Sequence, residues 1–149
     1  MPHTYTVHAH SAAEPHAVFA LLLRAGTWPL WSPLDRAELE GGGDPDAPAQ
    51  VGDVRVFRTG PSVSREPVLE LVPDRRFVYG NVGGLFRSYR AVIDLAPSPD
   101  GGTDVTWSAT LEPKLPGTGR FWAWYLGRFV QRMADGLARY AAGRSTGAR

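Results

Sequence analysis

Cysteine is absent from the 149 residues, and lysine nearly so, Lys114 being the only one. The first absence excludes disulfide staples and thiolate metal sites and suits a reducing cytoplasm. The second leaves positive charge to arginine. There is no excess of either sign: the formal net charge is +1, with acids and bases interspersed. The electrostatic footprint of a nucleic-acid binder is therefore missing. Long apolar runs are missing too. Val18 to Leu23 falls far short of the roughly 20 residues a bilayer span needs. The first residues, Met1-Pro2-His3-Thr4-Tyr5-Thr6, carry neither a cationic region nor an apolar export segment. The expectation is a soluble cytoplasmic protein with no nucleic-acid partner and no membrane span. The length fits one domain with a substantial core, expected over 1–144, followed by a frayed tail at 145–149.

What the chain does have is clear periodicity. Tyr5, Val7 and Ala9 alternate with polar residues, a half-buried strand pattern. Ser11 and Glu14 have capping-box spacing before a helix in which Val18, Phe19, Leu21, Leu22 and Leu23 form a broad apolar face, with Pro15 in its first turn. Ala25-Gly26 ends that helix, and Trp28 to Pro33 reads as a short helical turn carrying two large aromatics. Leu34 to Leu39 could form a short strand, and Gly41 to Gly52 is a long Gly/Pro/Asp-rich loop. Strand-like segments then recur at Val54–Thr59, Val63–Val72, Phe77–Val82, Phe86–Leu95 and Thr103–Leu111. Their short gaps favour an antiparallel meander. Pro67 marks an edge or a bulge. From about Arg120 to Arg144 a helix places Trp122, Leu126, Phe129, Met133, Leu137 and Tyr140 on one stripe, with Arg128, Gln131, Arg132, Asp135 and Arg139 opposite.

The resulting class is α+β: a curved antiparallel sheet of six to seven strands around a long C-terminal helix, with two short helices after the first strand. The sheet must bury its apolar face against that helix. If it curves, one helix cannot fill the concavity, and a cavity follows from topology and residue size.

Four segments carry a family resemblance. They are Ala17-Val18-Phe19-Ala20-Leu21-Leu22, Trp28-Pro29-Leu30-Trp31-Ser32-Pro33, Gly52-Asp53-Val54-Arg55-Val56, and Asp100-Gly101-Gly102-Thr103-Asp104-Val105-Thr106-Trp107. With them the chain resembles the START-like, birch-pollen-allergen-like (SRPBCC) superfamily. More narrowly it resembles the bacterial polyketide cyclase/dehydrase and lipid-transport group. The resemblance covers nearly the whole chain and implies a helix-grip fold enclosing a pocket for a hydrophobic or aromatic small molecule. Members of the superfamily carry or sense such ligands, act on them, or assist a partner protein. None of the four segments is a catalytic motif.

Candidate pocket residues are aromatic: Trp31, Phe57, Tyr79, Tyr89, Trp107, Tyr125 and Phe129. They would gain affinity through area burial and ring stacking, and ordinary core packing is the competing explanation. Arg65, Tyr79 and Tyr89 are the polar candidates for orienting a ligand. Trp124 lies on the polar arc of the last helix, one turn after Phe121. Packing under 113–117 is the simpler expectation for it, and an entrance rim or partner contact the alternative. His8 and His10 share a strand face with Thr4 and Thr6, spaced as two metal ligands could be. They lack a third ligand, so no metal or cofactor is expected. Arg90, Glu66, Glu70 and Asp94 lie on strands, where one buried charge could act as acid or base. No nucleophile elbow surrounds Ser62, Ser64 or Ser88, and Gly80 to Gly84 is not a phosphate loop. Three functions remain open: a binding module, a polyketide cyclase or dehydratase, and an interaction or stress-response domain. The oligomeric expectation is a monomer or homodimer.

Overall fold

The computed structural model describes residues 2–147, the last three by their backbone alone. Alternation and breakers place the elements as the periodicity implies. The order is β1 (His3–Ser11), α1 (Pro15–Leu23), a single 3-10 turn at Ala25–Thr27, α2 (Trp28–Trp31), β2 (Arg36–Leu39), β3 (Val54–Thr59), β4 (Ser62–Val72), β5 (Arg76–Gly80), β6 (Phe86–Pro97), β7 (Thr103–Pro113) and α3 (Gly119–Gly147). All strands pair antiparallel in one seven-stranded sheet, ordered β1-β7-β6-β5-β4-β3-β2. The tail expected from Ser145 falls on residues given by backbone alone, in the last turn of α3, and on 148–149, which lie outside the described residues. No described helix is long and apolar enough to cross a membrane.

The concave face buries Tyr5 and Val7 of β1, Phe77 and Tyr79 of β5, Ala91 and Ile93 of β6, and Val105 and Trp107 of β7, against Val130, Met133, Ala134 and Leu137 of α3. Of the expected stripe, Met133 and Leu137 are buried against the sheet, while Trp122, Leu126, Phe129 and Tyr140 are only partly buried; the buried face is turned toward Val130, Ala134 and Ala141. Two local features set how the helices seat. Gly136 lets α3 approach α2, since a Cβ there would sit 1.9 Å from the carbonyl oxygen of Trp31. Thr103 Oγ1 donates to the Ala13 carbonyl at 2.7 Å and ties the start of β7 to the turn before α1.

One expectation is corrected here. Ser11 does not cap α1. The N-cap is Glu14, without a side-chain cap bond, and Pro15 begins the helix. Ser11 still belongs to β1, where its buried hydroxyl donates to the Ala138 carbonyl at 2.8 Å and accepts from the Ala13 amide at 3.2 Å. Its hydrogen bonding is spent on joining β1 to α3. A proline at N1 supplies helical φ without needing a cap acceptor.

Pro67 sits beside a break in register between Val68 and Glu70. The bulge changes which residues of β4 face inward. Val68 pairs with Tyr79 and Leu71 with Phe77, both on the concave side. N-terminal to the bulge the inward set is therefore Ser64, Glu66 and Val68, and Val63 and Arg65 face out.

Candidate functional site

Six large rings occupy the middle of the concavity. Trp28 of α2 lies 4.9 Å from Trp31, 5.1 Å from Phe57, 5.7 Å from Trp107 and 6.0 Å from Tyr79, centroid to centroid. Phe77 completes the group at 6.2 Å. Trp31, Phe57, Tyr79 and Trp107 are thus brought together, but around Trp28 and the guanidinium of Arg55. Arg55 is fully buried, and its Cζ lies 4.3 to 4.9 Å from the ring centres of Trp28, Phe57, Phe77 and Tyr79. A guanidinium is weakly hydrated and planar, which makes it the cation that such a cage holds best.

Only one nitrogen of Arg55 finds an oxygen. Nη2 donates to Glu66 Oε1 at 3.0 Å, while Nε and Nη1 have no hydrogen-bond partner. Ser64 Oγ donates to the other Glu66 oxygen at 2.7 Å and accepts from Asn81 Nδ2 at 3.0 Å. This polar chain of Asn81, Ser64, Glu66 and Arg55 runs across the concave face from β5's end through β4 to β3. Burial pushes the Glu66 carboxyl above its ordinary range, and the Arg55 charge with the Ser64 and Arg55 hydrogen bonds offsets part of that push. Enclosed as it is, the Glu66 side chain keeps 15 % of its surface reachable. Arg55 by contrast is wholly sealed. The rings and Arg55 pack solidly on the α2 side of the ion pair, and Glu66 is its partly exposed end.

Two further phenols lie within electrostatic reach of Glu66. Tyr5 and Tyr89 share a hydrogen bond between their hydroxyls. Burial is the main cause that raises the pKa of Tyr5, Tyr79 and Tyr89, and the Glu66 carboxylate adds to it in all three. The phenols therefore stay protonated near neutrality, and in the Tyr5–Tyr89 pair one hydroxyl donates to the other and leaves one proton free. Tyr79 is already engaged, accepting from Trp107 Nε1 at 3.2 Å. From Tyr89 a line of ring contacts leads outward: Phe86 at 5.3 Å, then Trp122 at 5.5 Å, then Tyr125 at 6.0 Å. Tyr125 is 47 % exposed and stacks on Phe121 at 5.9 Å.

The remaining sequence candidates fall elsewhere. Arg65 faces outward, its Nε donating to Glu40 at 2.7 Å. The bulge gives the inward position to Glu66 and leaves the interior cation to Arg55. Arg55 and Glu66 are the residues that a functional reading of the sequence underweights. The signal for Arg55 is there: it shares strand parity with Phe57. Phe129 is half-buried against the core, with the Arg132 guanidinium 5.6 Å from its ring centre. Trp124 is not packed under 113–117. It is 60 % exposed, with Arg128 5.8 Å away, because its helical angle points it off the sheet. Arg90, Glu70 and Asp94 lie in surface ion pairs. His10 bridges two carboxylates, Nδ1 to Asp104 and Nε2 to Asp100, each at 2.9 Å. Those contacts, Asp104 foremost, raise its pKa and give both ring nitrogens the role of donors. Among the described residues no group of three or more His, Asp or Glu could hold a metal ion.

A family profile described as polyketide cyclase / dehydrase and lipid transport matches residues 2–142. The chain belongs to this family. Solved structures share its fold. A START superfamily protein from Mycobacterium smegmatis matches with a TM-score of 0.76 at 16% identity, covering 99% of each chain. A solution NMR structure from Thermobifida fusca matches at 24% identity and a TM-score of 0.72, over 91% of this chain and 93% of that one. The di-domain ARO/CYC StfQ from the steffimycin biosynthetic pathway matches at 14% identity and a TM-score of 0.77, over 98% of this chain and 52% of that one. No curated protein matches. Membership of this cyclase and lipid-transport family, with its START-like helix-grip fold, is consistent with hydrophobic ligand binding or with cyclase activity.

Proposed function

We propose that the protein binds a hydrophobic or aromatic small molecule in the recess between Glu66, Tyr5 and Tyr89, entering past Phe86, Trp122 and Tyr125. The observation that carries this reading is the partly exposed Glu66 side chain with the buried, mutually hydrogen-bonded phenols of Tyr5 and Tyr89 within its electrostatic reach. Both Glu66 oxygens already accept hydrogen bonds from protein groups, but the Tyr5–Tyr89 pair spends only one of its two hydroxyl protons internally, and the other suits a ligand carbonyl. Apolar burial at roughly 25 cal/mol per Å² would drive uptake. Trp31, Phe57, Tyr79 and Trp107 then act as the wall behind the ligand. The protein needs no metal, cofactor or nucleic acid for this, and we place it in the cytoplasm as a monomer or homodimer.

Native mass spectrometry against a panel of fused-ring phenols and fatty acids tests the proposal. One-to-one adducts are expected, and Tyr89→Phe should weaken the best of them about five- to tenfold, the worth of one hydrogen bond. A protein that takes up nothing from the panel has no such recess.

A second reading, cyclisation, is favoured by the same trio. The Glu66 carboxylate would accept a proton from the methylene between two carbonyls. The resulting enolate carbon would add to a third carbonyl, and a tyrosine would protonate the new alkoxide. Turnover of a poly-β-ketone thioester that persists unchanged in Glu66→Gln would remove that role.

A further inference from the structure

The outward side of α3 carries a pattern of which the ligand recess uses only Tyr125. Phe121, Tyr125, Arg128, Arg132, Asp135 and Arg139 recur at alternating steps of four and three, so they form one straight stripe. Trp124 lies beside its aromatic end, and Arg144, one turn after Tyr140, lies off the line on the neighbouring side. Phe121 is 54 % and Trp124 60 % exposed, and the four arginines Arg128, Arg132, Arg139 and Arg144 are exposed as well. At 1.5 Å per residue the stripe is about 27 Å long.

Charge is segregated onto this helix. α3 holds five arginines and one aspartate, while the chain before it holds ten bases and fourteen acids. Bases on the sheet side are largely neutralised locally: Arg55, Arg58, Arg65, Arg76 and Arg90 each face a carboxylate. None of the ion pairs among the described residues involves an arginine of α3. The one acid in the stripe, Asp135, accepts from Gln131 at 3.1 Å. Two open grooves flank the arginines. One, of about 750 Å³, lies between Trp31, Pro33 and Tyr140 with Arg132, Arg139 and Arg144 on its rim. The other, of about 470 Å³, lies between Trp124 and Phe129 with Arg128 and Arg132 on its rim.

We propose that the outward stripe of α3 docks the protein on an anionic phospholipid surface, its arginines on lipid phosphates and Trp124, Phe121 and Tyr125 at the headgroup level. Exposed Trp, Tyr and Phe next to unpaired arginines on one helix face is the arrangement that a charged interface stabilises. A planar anionic partner can meet a straight stripe of this length all at once. A second copy of the chain across a two-fold axis would instead set arginines against arginines. The inference stands apart from the interior recess and holds whether or not a ligand occupies it. Docking would present Tyr125, the outer end of the ring path, to the lipid.

Co-sedimentation with phosphatidylcholine vesicles, alone or with about one-third phosphatidylglycerol, tests the assignment on the full chain at low and physiological salt. Binding is expected only with the anionic lipid, weakening as salt screens the charges. Arg128→Gln/Arg132→Gln/Arg139→Gln should lower partitioning about a hundredfold, at roughly fivefold per arginine. Arg36→Gln/Arg75→Gln/Arg87→Gln, with the same net charge but all changes off the helix, should bind like the wild type. Circular dichroism melts confirm that both triples are folded. Tryptophan emission should shift blue on binding in the wild type and lose most of that shift in Trp124→Phe. Failure of the wild type to bind anionic vesicles at low salt, or equal losses in the two triple variants, overturns the proposal.

Discussion

Arg55 is the residue on which the interior turns. Four rings and one carboxylate replace its hydration shell, and two of its nitrogens have rings as neighbours in place of oxygens. A cation so held stabilises Glu66 in its ionised form, against the upward push of burial. Replacing it by methionine keeps the volume and removes the charge. Glu66 then loses the main influence lowering its pKa, and the pKa rises further. A carboxyl whose folded pKa lies above its unfolded value gives stability that is complete at low pH and is lost as pH climbs through the folded value. Arg55→Met should accordingly unfold near the wild-type urea concentration in mildly acidic buffer. In mildly alkaline buffer it should lose about 3 kcal/mol, the cost of leaving one partner of a buried pair alone. The added change Glu66→Gln should flatten that slope. A single variant whose pH profile parallels the wild type would show that the pair carries no such linkage.

At the scale of elements, the sequence makes most of the fold legible because periodicity and burial coincide. The strand alternation and the stripe Trp122, Leu126, Phe129, Met133, Leu137, Tyr140 identify the sheet and α3 without ambiguity. The candidate site is less legible, and the bulge in β4 explains much of the gap. Counting alternation back from Leu71 turns Arg65 inward. The extra residue between Val68 and Glu70 reverses that and turns Glu66 inward instead. A proline hints at such a bulge but does not fix which residue is skipped. Aromatic composition has a similar limit: it groups Trp31, Phe57, Tyr79 and Trp107 without telling whether a guest or Trp28 fills the space among them. The seat of α2 on α3 gives a test at this scale. In a free helix Gly136→Ala would gain about 1 kcal/mol. Here the new Cβ would meet the Trp31 carbonyl oxygen, a backbone atom, at 1.9 Å. The helices must separate, and the expected result is a net loss of about 1–3 kcal/mol in urea unfolding. Gly143→Ala, with nothing within 4 Å of its Cβ, should be neutral or stabilising. The reverse order of the two variants would mean that α2 yields freely.

For the molecule as a whole, one apolar cluster joins β1 at the sheet's edge to α3 at the chain's end and takes in α1 and α2 between them. The Ser11 hydroxyl bonded to Ala138 and the Thr103 hydroxyl bonded to Ala13 tie residues far apart in sequence within that cluster. No element before α3 can lose it without exposing the concave face, so α3 and the sheet should melt together. Fluorescence, to which the buried Trp28, Trp31 and Trp107 contribute, and far-ultraviolet circular dichroism, which reads helix and sheet, should give coincident urea transitions, the behaviour of a single cooperative unit. A guest bound as proposed would contact both β1, through Tyr5, and β6, through Tyr89, and so should move both transitions by the same amount. At a ligand concentration one hundred times Kd that amount is about 2.7 kcal/mol. If fluorescence shifted with ligand while circular dichroism did not, the recess would belong to a separately unfolding unit, and the shared core drawn here from β1 to α3 would be two cores.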